Sequence, residues 1–217
     1  IAVAYEGLDR YFPKEKIVFT GNPIRKSIEI CCVDALKAKK HFELKPHRQT
    51  LVVLGGSLGA KRINSLIAKK LDWFRSLDIQ IIWQCGSLYY EKYKGLSCDE
   101  VKILAFINEM DQLYASADFI ISRAGAATLS ELSCVGKPVI LIPSPNVAEN
   151  HQFHNAMAFA NRNAAVVVTE KNLNTQFEGS FKTLLDKERQ KEFIENLKQF
   201  AKPDAAKEIV NHIEDLL

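Results

Sequence analysis

The sequence predicts an α/β fold in which a doubly wound parallel sheet carries helices on both faces. Eight short segments rich in Val and Ile are apolar without alternation, which is typical of strands buried on both faces of a parallel sheet. Helical patterns separate most of these segments, so β-α-β units with right-handed crossovers are expected. The 217 residues, 47% hydrophobic and 25% charged, suffice for one large domain or two small ones.

The predicted elements alternate along most of the chain. The predicted strands are residues 1–5, 16–20, 50–54, 79–83, 101–106, 118–122, 138–143 and 164–168. The predicted helices are residues 34–43, 60–77, 110–117, 127–136 and 151–162. From residue 171 the sequence is charged and helical, with one clear break at residues 202–204. A last helix is expected to begin at Pro203, because proline suits the first helical turn.

Composition excludes several classes of protein. The net charge of +3 does not favour nucleic-acid binding, although it allows an anionic ligand or a membrane surface. No apolar run approaches the roughly 20 residues that span a bilayer. The five cysteines are irregularly spaced, so reduced core thiols of a cytosolic protein are expected, and the adjacent Cys31 and Cys32 should face apart. The chain begins at Ile1 without a targeting pattern, and we expect it to be part of a longer protein.

A glycine-rich loop, Gly55-Gly56-Ser57-Leu58-Gly59-Ala60, follows the predicted strand 50–54 and precedes a helix. Free N–H groups and the helix dipole make such a loop an anion site, and glycines let a phosphate approach the backbone. The loop lacks the G-K-[ST] of a Walker A motif and does not fit the G-x-G-x-x-G of dinucleotide-binding proteins. A tight turn without a ligand is the other interpretation.

The same loop also spells G-x-S-x-G, the nucleophile elbow of α/β-hydrolases. In this alternative Ser57 is the nucleophile, with Asp118 or Asp111 as the acid and His151 or His154 as the base. Too little chain precedes the loop to supply the earlier strands and the oxyanion loop of that fold.

A second turn rich in small residues follows the predicted strand 118–122. Thr128 and Glu131 form T-x-x-E, a capping box in which the Glu131 carboxylate would accept from the Thr128 N–H. Alternatively, a carboxylate at the carboxyl edge of the sheet is well placed to accept two ribose hydroxyls. Arg123 is either a diphosphate partner or half of a structural ion pair.

Polar groups follow three further turns. Gln152 and Asn155 share one helix face, and amides that both donate and accept suit sugar hydroxyls, although a solvated helix start is an alternative. The backbone of residues 106–108 lies at the end of a strand and could read the edge of a planar base. Residues 20–25 form a turn from which Arg25 projects.

The motifs in this order closely resemble the MurG family. They are V-A-Y-E-G, F-P-K-E-K-I-V-F-T-G-N-P-I-R, G-G-S-L-G-A, F-I-N-E-M, S-R-A-G-A-A-T-L-S-E and E-N-H-Q-F-H-N-A. Members of this family are bacterial GT-B glycosyltransferases that convert lipid I to lipid II in peptidoglycan synthesis. The resemblance covers nearly the whole chain, but only the C-terminal half of the family. It implies a Rossmann-like donor domain whose partner, an N-terminal domain, lies outside this chain.

The resemblance implies a role for each motif in binding UDP-GlcNAc. Ser57 and the backbone of Gly55 and Gly56 would hold the diphosphate, with Arg25 near the hinge and the phosphates. The backbone of Ile107 would read uracil, and Glu131 the ribose. Ala126, Ala127 and Thr128 would form the donor-side turn, with Leu129 and Ser130 as further substrate-binding residues. Gln152 and Asn155 would contact the GlcNAc hydroxyls. Asn150 departs from the family pattern, which has an acid before H-Q.

The resemblance also implies how the chain is organised. Residues 1–24 would be the tail of the N-terminal domain and the hinge, residues 25–202 the donor-binding domain, and residues 203–217 a helix that returns toward the N-terminal domain. No residue of this chain would be catalytic, because the base and the site for the lipid-linked MurNAc-pentapeptide acceptor belong to the N-terminal domain.

Further expectations concern chemistry and location. Transfer would be inverting, without metal or cofactor, and no D-x-D is present to hold a metal diphosphate. The enzyme would be cytoplasmic and peripheral on the inner face of the plasma membrane, with no nucleic-acid partner. A donor-binding subunit of a two-chain GlcNAc transferase is an alternative.

Overall fold

The computed structural model describes residues 1–5, 9, 11–29 and 33–215. The first two predicted strands are short and form a parallel pair of their own, β1 (Ala2–Val3) and β2 (Val18–Phe19). Cys31 and Cys32, and the E-G of the first motif, lie outside the described residues. Of the other cysteines, Cys85 is buried as expected and Cys134 partly buried, whereas Cys98 is exposed, so the expectation of a core thiol is wrong there.

The other six predicted strands form one parallel sheet, which confirms the predicted fold class. They are β3 (Gln49–Leu54), β4 (Ile79–Gln84), β5 (Val101–Leu104), β6 (Phe119–Ser122), β7 (Val139–Leu141) and β8 (Val166–Val167). Their order is β5-β4-β3-β6-β7-β8. The order reverses between β3 and β6, and ligands of doubly wound sheets bind at such a switch point, beyond the carboxyl ends of the strands.

Helices connect the strands and cover the sheet. They are α1 (Lys26–Glu29), α2 (Ala35–His41), α3 (Lys61–Ser76), α4 (Tyr90–Tyr93), α5 (Met110–Ser116), α6 (Ala126–Val135), α7 (His151–Ala160), α8 (Leu173–Leu185), α9 (Lys187–Lys198) and α10 (Ala205–Glu214). The five helices predicted between strands are confirmed. No helix in the described part of the chain is long and apolar enough to cross a membrane.

The C-terminal region differs from the prediction at two points. The last helix begins at Ala205, with Asp204 at its N-cap, rather than at Pro203. A second break lies at Asp186, which ends α8 and caps α9 by accepting from the Arg189 N–H at 3.0 Å.

The core lies on both faces of the sheet, as the unalternated strands predict. Along β3, Leu51 and Val53 belong to the cluster under α3 and α8, whereas Val52 and Leu54 belong to the cluster under α5, α6 and α7. Burying both faces fixes the sheet between two helical layers, so the loops at its carboxyl edge are held by a rigid base.

The segments that enter and leave the sheet domain are packed against each other. The ammonium group of Lys202 lies 4.9 Å from the centre of the Phe19 ring. Gly21 adopts φ +83°, and a Cβ there would lie 2.5 Å from the Cβ of Lys202. The predicted boundaries at residues 24/25 and 202/203 fall in these two segments and stay predictions.

Candidate functional site

A cavity of about 270 Å³ lies at the switch point of the sheet. Its lining comes from the ends of β3, β4 and β6, from α5 and α6, and from the turn before α1. Two cavities of about 310 Å³ and one of about 430 Å³ lie elsewhere among the described residues, but none of the three is at the carboxyl edge of the central strands. The switch-point cavity is therefore the candidate site.

The glycine-rich loop forms one wall of this cavity. Gly56 adopts φ +80°, and no atom lies within 4 Å of the position that its Cβ would take. The N–H of Gly55 bonds to the Gln84 carbonyl at 3.2 Å, so that predicted phosphate donor is already used. Gly56 and the exposed Ser57 also line the cavity, and within the described residues their N–H groups make no hydrogen bond to the backbone.

The loop is held rigidly by the turn after β4. Gly59 packs so closely on this turn that a Cβ would lie 2.1 Å from the Cys85 carbonyl oxygen. Asn64, fully buried on α3, donates to the same carbonyl at 2.7 Å and accepts from the Trp83 indole N–H at 2.9 Å. The sequence alone does not indicate this role of Asn64, because its partners lie on β4 and on the turn after it.

The second small-residue turn presents the N-terminus of α6. The helix begins at Ala126 with Gly125 as its N-cap and without a side-chain cap. Its first backbone bond runs from the Leu129 N–H to the Gly125 carbonyl, which leaves the N–H groups of Ala126, Ala127 and Thr128 without intrahelical partners. Such a terminus attracts anions.

The capping-box interpretation of Thr128 and Glu131 is wrong. Thr128 lies inside the first turn of α6 rather than at the N-cap. The buried Glu131 carboxylate points instead to two distant groups: Oε1 accepts from Arg25 Nη1 at 2.6 Å, and Oε2 accepts from the Tyr114 hydroxyl at 3.0 Å. Burial, together with the Glu131 charge, raises the pKa of Tyr114 well above its ordinary value, so the phenol stays a donor.

Arg123 forms a structural ion pair, which is one of its two predicted roles. Its guanidinium donates to Glu170 Oε1 at 2.6 Å and to the Ile142 carbonyl at 3.0 Å. Both side chains are largely buried, at 17% and 15% exposure, which fixes Arg123 at the cavity wall.

The turn after β5 supplies the remaining wall. Ile107 is buried by its side chain, while its backbone N–H and C=O make no hydrogen bond within the described residues. Its neighbour Phe106 lines the cavity with 51% of its surface exposed. The sequence indicates a role only for the backbone of Phe106, and no local pattern places the side chains of Tyr114 and Gln84 in the lining.

Gln152 and Asn155 lie on the first turns of α7 and outside the lining of this cavity. Gln152 Oε1 accepts from the Ser144 N–H at 2.9 Å, and Asn155 Nδ2 donates to the Ala124 carbonyl at 3.3 Å. These bonds use the oxygen of the Gln152 amide and the nitrogen of the Asn155 amide. Gln152 Nε2 and Asn155 Oδ1 have no hydrogen bond within the described residues.

Two predicted ligand residues face elsewhere. Leu129 is fully buried in the core and its N–H is used, so its placement does not support a ligand contact. Ser130 lines a separate cavity, where it accepts from Asn22 Nδ2 at 3.1 Å. Tyr5 donates to the Ala126 carbonyl at 3.0 Å in the same region, so the N-terminal segment packs directly on α6.

The hydrolase alternative is not supported. Asp118 precedes β6 and therefore lies at the amino edge of the sheet, where it accepts from Lys39 Nζ at 2.7 Å and the Thr50 N–H at 2.8 Å. Ser57 is not among the described residues with positive φ, although the nucleophile elbow is a strained turn. No histidine belongs to the described lining around Ser57.

Comparison with known proteins agrees with this geometry. Residues 50–209 match the Glycosyltransferase family 28 C-terminal domain. The whole chain aligns with the UDP-N-acetylglucosamine--N-acetylmuramyl-(pentapeptide) pyrophosphoryl-undecaprenol N-acetylglucosamine transferases of Flavobacterium psychrophilum, at 51% identity, and Christiangramia forsetii, at 47%. The chain spans 60% of the length of each of these relatives.

A solved structure agrees as well. The crystal structure of Acinetobacter baumannii MurG matches with a TM-score of 0.69 and 28% identity, over 87% of this chain and 55% of that one. The resemblance expected from the motifs is thereby confirmed. The chain therefore belongs to glycosyltransferase family 28, and residues 50–209 form the C-terminal domain of that family.

Proposed function

We propose that this chain is the donor-binding half of an inverting GlcNAc transferase that converts lipid I to lipid II with UDP-GlcNAc as donor. The observation that carries the proposal is the buried Glu131 carboxylate. It lines a cavity between two turns whose backbone N–H groups lack partners within the described part of the chain. This arrangement combines an acceptor for hydroxyl groups with donors for phosphates, and a nucleoside diphosphate requires both. The curated relatives support the choice of reaction by their names.

The diphosphate would lie between the N–H groups of Gly56 and Ser57 and the N-terminus of α6 at Ala126, Ala127 and Thr128. Arg25 faces the same cavity, and its exposed guanidinium can reach an added anion. As the glycosidic bond breaks, negative charge develops on the leaving UDP. Fixed N–H dipoles and Arg25 would stabilise that charge without a metal.

The nucleoside and the sugar would occupy opposite sides of the diphosphate. Uracil would stack on Phe106 and bond to the backbone of Ile107, while the ribose hydroxyls donate to Glu131. Gln152 Nε2 and Asn155 Oδ1 would donate to and accept from the GlcNAc hydroxyls.

The acceptor side of the reaction would belong to the part of the protein outside this chain. A lipid-linked MurNAc-pentapeptide would bind there, and a base there would deprotonate the acceptor hydroxyl. That part would also hold the enzyme on the cytoplasmic face of the plasma membrane. We propose no metal, no further cofactor and no nucleic-acid partner.

Calorimetric titration with UDP, UDP-GlcNAc and UDP-GalNAc tests the donor site. We expect UDP and UDP-GlcNAc to bind, and Glu131→Gln to weaken both by about tenfold or more, because a charge-assisted hydrogen-bond acceptor is lost. Glu178→Gln is the matched control, since this carboxylate lies on α8 and pairs with Lys70. If the protein is folded but binds no uridine diphosphate, the proposal fails.

A further inference from the structure

We propose that Tyr114 is a positioning residue for the donor nucleotide: its buried hydroxyl fixes the Glu131 carboxylate and thereby sets the preference of the site for a ribose with both hydroxyls. The inference rests on the proposed function. It adds a residue whose hydroxyl acts through Glu131. Tyr114 lies on α5 and Glu131 on α6, so two different helices set the position of one carboxylate.

The contact between the two side chains is a buried hydrogen bond. The Tyr114 hydroxyl donates to Glu131 Oε2 at 3.0 Å, and Tyr114 is 2% exposed. Its ring packs in the core cluster that includes Leu113, Ile120 and Leu132. The ring is therefore held by packing, and the hydroxyl is a fixed point to which the carboxylate is tied.

Arg25 cannot fix the carboxylate in the same way. Its guanidinium bonds to Glu131 Oε1, but its side chain is 53% exposed. Exposed ion pairs hold their partners weakly and are screened by salt. Arg25 can thus move toward the diphosphate, while Tyr114 keeps hold of Oε2.

A flexible glutamate must lose rotational freedom before it can accept two vicinal hydroxyls. Holding it in place beforehand lowers that entropic cost and favours the ligand that uses both acceptor oxygens. The phenol suits this role because it stays protonated and therefore always donates its hydrogen to Oε2. Removal of the hydroxyl should therefore affect ligands with a 2′,3′-diol and spare ligands without one.

Tyr114→Phe tests the inference, with UDP and 2′,3′-dideoxy-UDP as the two ligands in calorimetry. We expect the wild-type protein to prefer UDP by about tenfold or more, as befits hydrogen bonds to a charged acceptor. In Tyr114→Phe the affinity for UDP should fall about tenfold, while the affinity for dideoxy-UDP changes less than about twofold. Tyr93 is a buried tyrosine in the other core cluster, so Tyr93→Phe is the matched control and should leave both affinities unchanged.

The outcomes separate this inference from the proposed function. Equal losses for the two ligands would indicate a merely structural role for Tyr114, and no loss for either would show that the hydroxyl does not matter; each result overturns the inference but leaves the donor site standing. Failure of the folded wild-type protein to bind UDP removes both. If Tyr114→Phe does not fold, a crystal structure of the wild-type complex with UDP decides. We expect Tyr114 to remain bonded to Glu131 while Glu131 accepts from O2′ or O3′ of the ribose. Separation of the two side chains in that complex overturns the inference.

Discussion

The glycines on either side of Ser57 both adopt positive φ, but a side chain would meet very different surroundings at each. At Gly56 (φ +80°) the space is open, whereas at Gly59 (φ +85°) a Cβ would meet the Cys85 carbonyl oxygen at 2.1 Å. We expect Gly56→Ala to lower the free energy of unfolding by about 1–2 kcal/mol, from backbone strain alone. Gly59→Ala should cost about 3 kcal/mol or more, because backbone must also move.

Urea denaturation of the two variants measures this difference. Gly179→Ala is the matched control, since Gly179 lies exposed within α8 with open space around it. It should stabilise the protein by about 0.5–1 kcal/mol, as alanine favours a helix. Equal stability of Gly56→Ala and Gly59→Ala would contradict the close contact between the loop and the turn after β4.

At the scale of whole helices, the junction of α8 and α9 depends on one capping residue, Asp186. Asp186 lies between two long helices and accepts from the Arg189 N–H, so it supplies one acceptor to the otherwise unpaired start of α9. We expect Asp186→Ala to lower the free energy of unfolding by about 1 kcal/mol and Asp186→Asn to change it by much less, because asparagine caps helices equally well.

The two variants are compared by thermal and urea denaturation, and α8 and α9 also by amide hydrogen exchange. Protection should be lost first at the N–H groups of Arg189 and Gln190 in Asp186→Ala, because these groups bond to the Asp186 side chain and carbonyl. A loss of the same size in Asp186→Asn would show that the charge, rather than the cap, stabilises the junction.

The sequence predicts elements better than it predicts their partners. The strands were readable because both faces of β3 and β4 are buried, which leaves an unbroken apolar run. The break at Asp186 is not predictable in this way, because one capping residue hardly changes a helical pattern. The capping box at Thr128 was predicted from local spacing, yet Glu131 bonds to Arg25 and Tyr114, which lie 106 and 17 residues away along the chain.

The same limit applies to the whole site. The glycine-rich loop, the α6 turn and Ile107 could be proposed from the sequence, since each follows a strand whose carboxyl end is predictable. Asn64, Tyr114 and the Arg123–Glu170 pair required the strand order and helix packing, which no local pattern contains.

At the scale of the whole molecule, we expect this chain to bind donor without transferring the sugar. Transfer requires a base at the acceptor hydroxyl. The carboxylate that lines the described cavity, Glu131, is engaged by Arg25 and Tyr114 and is proposed to hold the ribose. The chain also spans only 60% of the length of the curated transferases that it matches.

Transfer of labelled GlcNAc from UDP-GlcNAc to a lipid I analogue measures this directly. The full-length Flavobacterium psychrophilum relative serves as the positive control, and calorimetry establishes that the 217-residue chain is loaded with donor under the same conditions. The chain should then show only background transfer, because donor binding orients the leaving group but leaves the acceptor protonated. Robust transfer by the chain alone would place the base among its own residues, and variants of His151 and His154 on α7 would be the first to test.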